Sequence, residues 1–264
     1  MQIYESKNPT IVLLFFVLIS FGLTTLLLVN FSHPLIYFFV IVLNTILGVL
    51  IFTPLHDASH GSASRNVFVN EAVMYFCWPF IIHSPFFFRV IHNCHHVHTG
   101  DPKMDPDACT KIEGISSKWG RSFAIFYWYY RYSLKYIPNT SKKWMLLTSS
   151  MMGPVVVLWL SLFSSFGTEI MVGLVIPNLM STGILGFINT AWPHDVGLKS
   201  DRLLQTRNLL VPRWLELLMC YQNLHLVHHI RPSLPWYRYR EFWAKKSEKY
   251  EKLGCITSNY VGKF

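Results

Sequence analysis

The chain has 264 residues, of which 52% are hydrophobic, 16% aromatic and only 14% charged, and its net charge is +9 with histidine neutral. So much apolar surface with so little charge excludes an ordinary water-soluble domain and points to a protein of the bilayer. The 23 Lys and Arg residues are not interleaved as a stripe on a polar domain, which argues against nucleic-acid binding, and Cys77, Cys94, Cys109, Cys220 and Cys255 form neither a C-x-x-C pair nor an even-numbered disulfide framework, so free thiols are expected.

A bilayer core of ~30 Å needs about 20 apolar residues of helix. Four stretches meet that requirement, 11–30, 35–54, 144–166 and 170–192. The first follows a segment with only Lys7 against Glu5 and is followed by no small-residue cleavage site, so it is expected to stay in the mature protein. Phe31-Ser32-His33-Pro34 joins the first pair and Gly167-Thr168-Glu169 the second, which predicts two antiparallel hairpins with both termini on one side.

Between the pairs, residues 67–88 are apolar but contain Glu71, Pro79, His83 and Pro85. That composition predicts a re-entrant or surface-lying segment, because a broken helix in lipid leaves backbone groups unpaired; six spans is the alternative. Residues 119–136 (WGRSFAIFYWYYRYSLKY) mix aromatics with Arg121, Arg131 and Lys135, as a helix lying in the headgroup region does. Lysine and arginine accumulate in cytoplasmic segments. Here Lys7, ten basic residues between His56 and Lys143, and twelve after Trp192 account for all 23, so both termini, the central loop and the tail are expected in the cytoplasm. The expected fold is an all-α integral membrane protein, a single domain over 1–264 with four spans in two hairpins, a cytoplasmic histidine-rich cap and interfacial helices.

Eight of the twelve histidines fall in three groups: His56 and His60 in H-D-A-S-H, His92, His95 and His96 in H-N-C-H-H, and His225, His228 and His229 in H-L-V-H-H. Helical residues three and four apart share a face, so each group can turn its imidazoles toward one centre. The first group ends span two, the second lies in the central loop and the third follows span four, which places all three on the same side. His194, just past span four, adds a ninth candidate, with Asn189 about a turn earlier. A lone histidine is more often a surface or core residue, as is expected for His33 and His83, and His98 stands outside the second group's spacing. Nine imidazoles are too many for one ion and suit two. Dizinc hydrolases would be expected to show H-E-x-x-H or bridging carboxylates, whereas the first group carries Asp57 and no glutamate, which favours iron. Asp57, Asp105 and Asp107, with Asp101, stand close enough to accept the second ring N–H of a bound histidine. A proline-rich loop with solvated charges is the alternative for D-P-K-M-D-P-D. Cys94 is expected to be a small packed residue.

These boxes resemble those of the membrane fatty acid desaturases and their hydroxylase and ketolase relatives, over most of the chain from His56 to Tyr239. H-D-A-S-H, D-P-K-M-D-P-D and especially Q-N-L-H-L-V-H-H-I-R-P-S-L-P-W-Y-R-Y (222–239) look like the desaturase-type bacterial β-carotene hydroxylases, while H-V-H-T-G after the second box looks more like desaturases or ketolases. The resemblance implies a non-haem diiron centre ligated by the eight box histidines. It also implies use of O2 as co-substrate and of two electrons from an external donor of the ferredoxin or cytochrome b5 type. His194 and Asn189 resemble the extra histidine and water-holding asparagine of acyl-CoA desaturases. The implied substrate is lipophilic, a carotenoid ring to be hydroxylated or a fatty acyl chain to be desaturated, with a carotenoid ketolase as a further possibility. A metal transporter would instead place ligands within its spans.

Overall fold

The computed structural model describes residues 8–81, 83–111, 114–196 and 201–259. In chain order the main helices are α1 (Pro9–Asn30), α2 (Pro34–Ser59), α3 (Val67–Ile81), α4 (Pro85–His98), α5 (Ile115–Phe123), α6 (Ile125–Tyr136) and α7 (Ser141–Phe163). A helix over Gly167–Ala191, two short helices (Arg213–Leu218 and His225–Ile230) and a longer one (Tyr239–Lys252) follow. Strands β1 (Arg207–Leu210) and β2 (Ile256–Asn259) pair in parallel, Arg207 opposite Ile256, and amend the all-α expectation. The chain divides into two compact units, Met1–Phe88 with Pro138–Thr182, and Arg89–Ile137 with Gly183–Phe264.

The first unit holds the spans. Among the described residues four helices are long and apolar enough to cross a membrane: Pro9–Asn30, Pro34–Ser59, Ser141–Phe163 and Gly167–Ala191. The last of these begins in this unit and ends in the second. Leu14, Val17 and Phe21 of α1 pack with Leu47, Ile51 and Leu55 of α2 and Val73, Met74 and Cys77 of α3. The opposite face of α1 exposes Phe15, Phe16, Ile19, Leu23 and Leu26, the face a lipid-bathed helix presents. Thr10 Oγ1 donates to Asp57 Oδ2 (2.8 Å) and Asn8 Nδ2 to the Ala63 carbonyl (2.5 Å), so the start of α1 is fastened to the end of α2.

The helix bounds move from the expected ones for local reasons. α2 runs through Pro54 to Ser59, so His56 lies in its last turn and His60 caps it. α7 starts at Ser141 because Thr140 caps it through the Lys143 N–H (3.3 Å), with two lysines in the first turn that a hydropathy reading trims away. The last span starts at Gly167, where a Cβ would meet the Ser161 carbonyl oxygen at 2.3 Å, and Glu169 in its first turn suits a helix N-terminus.

Residues 67–88 form one helix and the start of another, broken between Ile81 and Pro85; taken as one span, the pair adds a fifth and not two more. At the break the Phe80 carbonyl accepts from Asn178 Nδ2 (2.9 Å), the kind of pairing that lets backbone break at membrane depth. The last span contains two π-helical segments, Met171–Val175 and Gly186–Ala191. Such widening redirects carbonyls and is common at functional sites. The Gly173 carbonyl is taken by Asn44 Nδ2 of α2 (2.7 Å).

In the second unit, the segment expected to be one interfacial helix over 119–136 is two, α5 and α6, divided at Ala124. Trp119 stacks on Phe187 with centroids 4.2 Å apart, and a Cβ on Gly183 would strike the Phe123 ring at 2.4 Å, so glycines admit α5 against the last span. α6 exposes Tyr127 and Leu134 but buries Tyr129, Tyr132 and Ser133, so one of its faces is core.

Candidate metal centre

The second box lies on α4, where Phe87, Ile91 and His95 repeat every four residues and are each about 1% exposed. This buried stripe fixes the rotation of α4 and leaves His92 and His96 on the neighbouring stripe. The third box occupies the short helix His225–Ile230, which is too short to hold itself. β1 holds it instead. Asn208 Oδ1 accepts the Leu226 N–H (3.1 Å), Asn223 Nδ2 donates to the Leu209 carbonyl (2.9 Å), and Leu209 N–H donates back to the Asn223 carbonyl (2.8 Å). Just upstream, Cys220 (φ 47°) and Tyr221 (φ 56°) take the left-handed conformation that side chains disfavour, turning the chain into the box.

Within this unit the ring nitrogens converge. Nε2 of His95 lies 3.3 Å from Nε2 of His229, which lies 3.1 Å from Nε2 of His225, which in turn lies 3.1 Å from Nε2 of His194. Two nitrogens bound to one ion at ~2.1 Å stand about 3.0 Å apart at a right angle and about 3.4 Å apart in a tetrahedron. The four donor atoms all lie within 4.8 Å of one another and could together hold one ion. A second convergence joins His96 Nε2 to His92 Nε2 (3.2 Å) and to His228 Nε2 (2.7 Å). Seven of the nine predicted ligands therefore meet in this unit. In the first unit, His56 and His60 close α2 with ring centroids 5.1 Å apart, and His56 is buried.

Each outer nitrogen with a close partner meets a different chemical group. His95 Nδ1 is 2.8 Å from Asp105 Oδ1 and 3.4 Å from Asp107 Oδ2. His194 Nδ1 donates to the Gln205 carbonyl (3.0 Å), and His228 Nδ1 lies 3.1 Å from the Tyr239 hydroxyl. Asp105 also accepts the Gly100 N–H (2.8 Å), and Asp107 accepts the Tyr129 hydroxyl (2.8 Å). Gly100 has φ +87°, and a Cβ there would lie 2.4 Å from the Gln205 side chain.

The electrostatics divide the set. Burial, reinforced by His95, holds His194 down at about 3, and burial with the neighbouring His96 holds His229 well below the usual histidine range, so both imidazoles are neutral donors. At His95 burial works downward, but Asp107 and Asp105 outweigh it and raise the ring to about 9. Burial resists ionisation of both carboxyls; His95 still draws Asp105 down to about 2, whereas burial keeps Asp107 above its ordinary value.

The structure divides the predicted carboxylates. Asp105 and Asp107 are buried against His95, whereas Asp101 is exposed and accepts the Lys103 and Met104 N–H groups, the solvated-loop alternative. Asp57, expected to back a box histidine, accepts from Thr10. His33 is exposed and caps α2 through the Leu35 N–H, and His98 and Cys94 are half-buried. Asn189 sits in the second π-helical segment, buried, with neither side-chain amide atom hydrogen-bonded among the described residues. Tyr129, Gln205, Asn208 and Tyr239 escaped the sequence reading. The D-P-K-M-D-P-D run pointed to the carboxylates, but no local pattern marks residues that reach the site from distant elements.

Two characterised proteins are similar to this chain. One is the sn-1 acyl-lipid omega-3 desaturase (ferredoxin) of Nostoc sp. (strain 36), 28% identical over 189 residues, or 69% of this chain and 47% of that one. The chain thus spans about half the length of that desaturase. The other is a beta-carotene ketolase of Paracoccus sp. (strain PC1), 26% identical over 234 residues, or 84% of this chain and 85% of the ketolase. The family model for fatty acid desaturase matches residues 10–258, nearly the whole of the described chain, and the chain belongs to that family.

Proposed function

We propose that the protein is a membrane-bound non-haem diiron oxygenase that hydroxylates a lipophilic substrate, a carotenoid ring, using O2 and two electrons. The observation that carries the reading is the convergence of seven imidazoles in one unit, with Nε2 atoms 2.7–3.3 Å apart and outer nitrogens tied back by a carboxylate, a carbonyl and a phenol. The number of imidazoles fits two ions, and burial holds His194 and His229 as neutral nitrogen ligands. His56, His60, His92, His95, His96, His194, His225, His228 and His229 are the proposed ligands, the first two carried by the resemblance of H-D-A-S-H to the family's first box. When bound, the two irons supply the activation of O2 toward an unactivated C–H bond.

The chain's own groups prepare that chemistry. Asp105 keeps the His95 proton on Nδ1 and so presents Nε2 to the metal, and Gln205 does the same for His194. Asn189, whose buried amide has no hydrogen-bond partner among the described residues, is the side chain to which the family resemblance gives the holding of a water. The boxes and both termini lie on the cytoplasmic side of two helical hairpins, where a soluble donor of the ferredoxin or cytochrome b5 type can reach them. Hydroxylation converts C–H, O2, two electrons and two protons into C–OH and one water. Desaturation takes the same inputs, removes two adjacent hydrogens and leaves C=C and two waters, so placement of the substrate by an ångström or so decides between them.

The carotenoid reading is favoured by the ketolase relative, which aligns over most of both chains and is named for β-carotene. Acyl desaturation is the second reading, favoured by the similarity to the acyl-lipid desaturase. Expression in a host that makes β-carotene, with pigment chromatography beside a fatty-acid profile, tests both. A hydroxylated pigment is the expected product, a new double bond in the lipids would shift the assignment to desaturation, and neither product in iron-replete, reducing cells would defeat both.

A further inference from the structure

Tyr239 opens the helix Tyr239–Lys252, is wholly buried, and is the largest such side chain among the described residues. Its ring packs with Leu224, Val227 and Leu234 beneath the third box, and its hydroxyl lies 3.1 Å from His228 Nδ1. On the other edge of the same imidazole, Nε2 lies 2.7 Å from His96 Nε2, facing the convergence of histidines. An imidazole that offers Nε2 to a metal carries its proton on Nδ1, so the Tyr239 oxygen is the acceptor.

We propose that Tyr239 is a positioning residue that fixes the tautomer and rotation of His228 and so keeps its Nε2 turned to the metal. Two histidines of the other convergence are backed in the same way, His95 by the Asp105 carboxylate and His194 by the Gln205 carbonyl. The side chain makes the same point. At 0% exposure a tyrosine hydroxyl needs a partner, and packing alone would be served by phenylalanine.

The inference rests on the two-metal reading above, and the test separates the two. Full-length protein in lipid nanodiscs is stripped of metal and titrated with Co2+, read by its visible absorption. Wild type is expected to take two equivalents. In Tyr239→Phe one is unchanged and the other weakens ~10–100-fold. Two equivalents at wild-type affinities in Tyr239→Phe would overturn the inference, and so would weakening of both alike. Binding of fewer than two equivalents by wild type would instead overturn the two-metal reading. Should Tyr239→Phe lose its helical circular dichroism, Tyr239→Gln, which restores an oxygen acceptor, decides: a folded Gln variant that takes both equivalents at wild-type affinity supports the role, and one that does not refutes it.

Discussion

At the scale of residues, three imidazoles of the proposed centre have their outer nitrogens held, His95 by Asp105, His194 by the Gln205 carbonyl and His228 by the Tyr239 hydroxyl. Asp105→Asn removes the charge that holds the His95 proton while keeping size and most hydrogen bonds. Iron retained after purification is expected to fall, with affinity lowered ~10–100-fold, and elemental analysis checks it. Gly100→Ala tests the turn behind that carboxylate. Its φ of +87° and the contact with Gln205 leave no room for a methyl, so a loss of about 1–3 kcal/mol is expected in thermal or denaturant unfolding. The histidines were legible because helical spacing makes i, i+3 and i+4 a local code. The carboxylates were only half legible. Asp101, Asp105 and Asp107 look alike in a proline-rich run, and what divides them is burial, with Asp101 in solvent and the other two against His95. Tyr239 ends the 222–239 stretch that carries the resemblance, but no spacing rule gives it a role, since its contact with His228 closes across the turn between two helices.

At the scale of elements, the third box is a six-residue helix held by a neighbour rather than by its own turns. Asn208→Ala removes the side chain that accepts the Leu226 N–H, a capping bond worth about 1 kcal/mol. The expected result is a lower melting temperature together with iron loss, because the bond orients His225, His228 and His229. An unchanged iron content with a lower melting temperature would show that β1 only stabilises and does not aim the box. Composition could place the spans because about 20 apolar residues announce themselves. It could not place β1, whose four residues pair with a strand nearly fifty positions later. Nor could it show the two π-helical segments, since a change of hydrogen-bond register leaves hydropathy untouched. Asn189 was visible as a polar residue near the end of a span, but its burial in a π-helical segment, with an amide that has no hydrogen-bond partner among the described residues, was not.

At the scale of the whole molecule, the distribution of charge is the sequence's strongest statement about topology. Of the 23 basic residues, 21 lie in the N-terminal segment, the central loop or the tail, and Lys142 and Lys143 lie in the first turn of α7; Lys7, Lys199 and Lys263 fall outside the described residues. The short turns at residues 31–33 and 164–166 carry none. A membrane potential and an anionic cytoplasmic leaflet both favour keeping those cations inside, at about 1 kcal/mol per basic residue near the surface. Reversing the chain would carry the whole set outward. Green fluorescent protein fused to the C-terminus should therefore fluoresce in a bacterial host, since it matures only in the cytoplasm. Alkaline phosphatase inserted after Ser32 should be active, since it needs the far side of the membrane. The opposite pair of signals would place the histidine boxes outside the cell, beyond the reach of any cytoplasmic electron donor, and the diiron reading could not stand in that orientation.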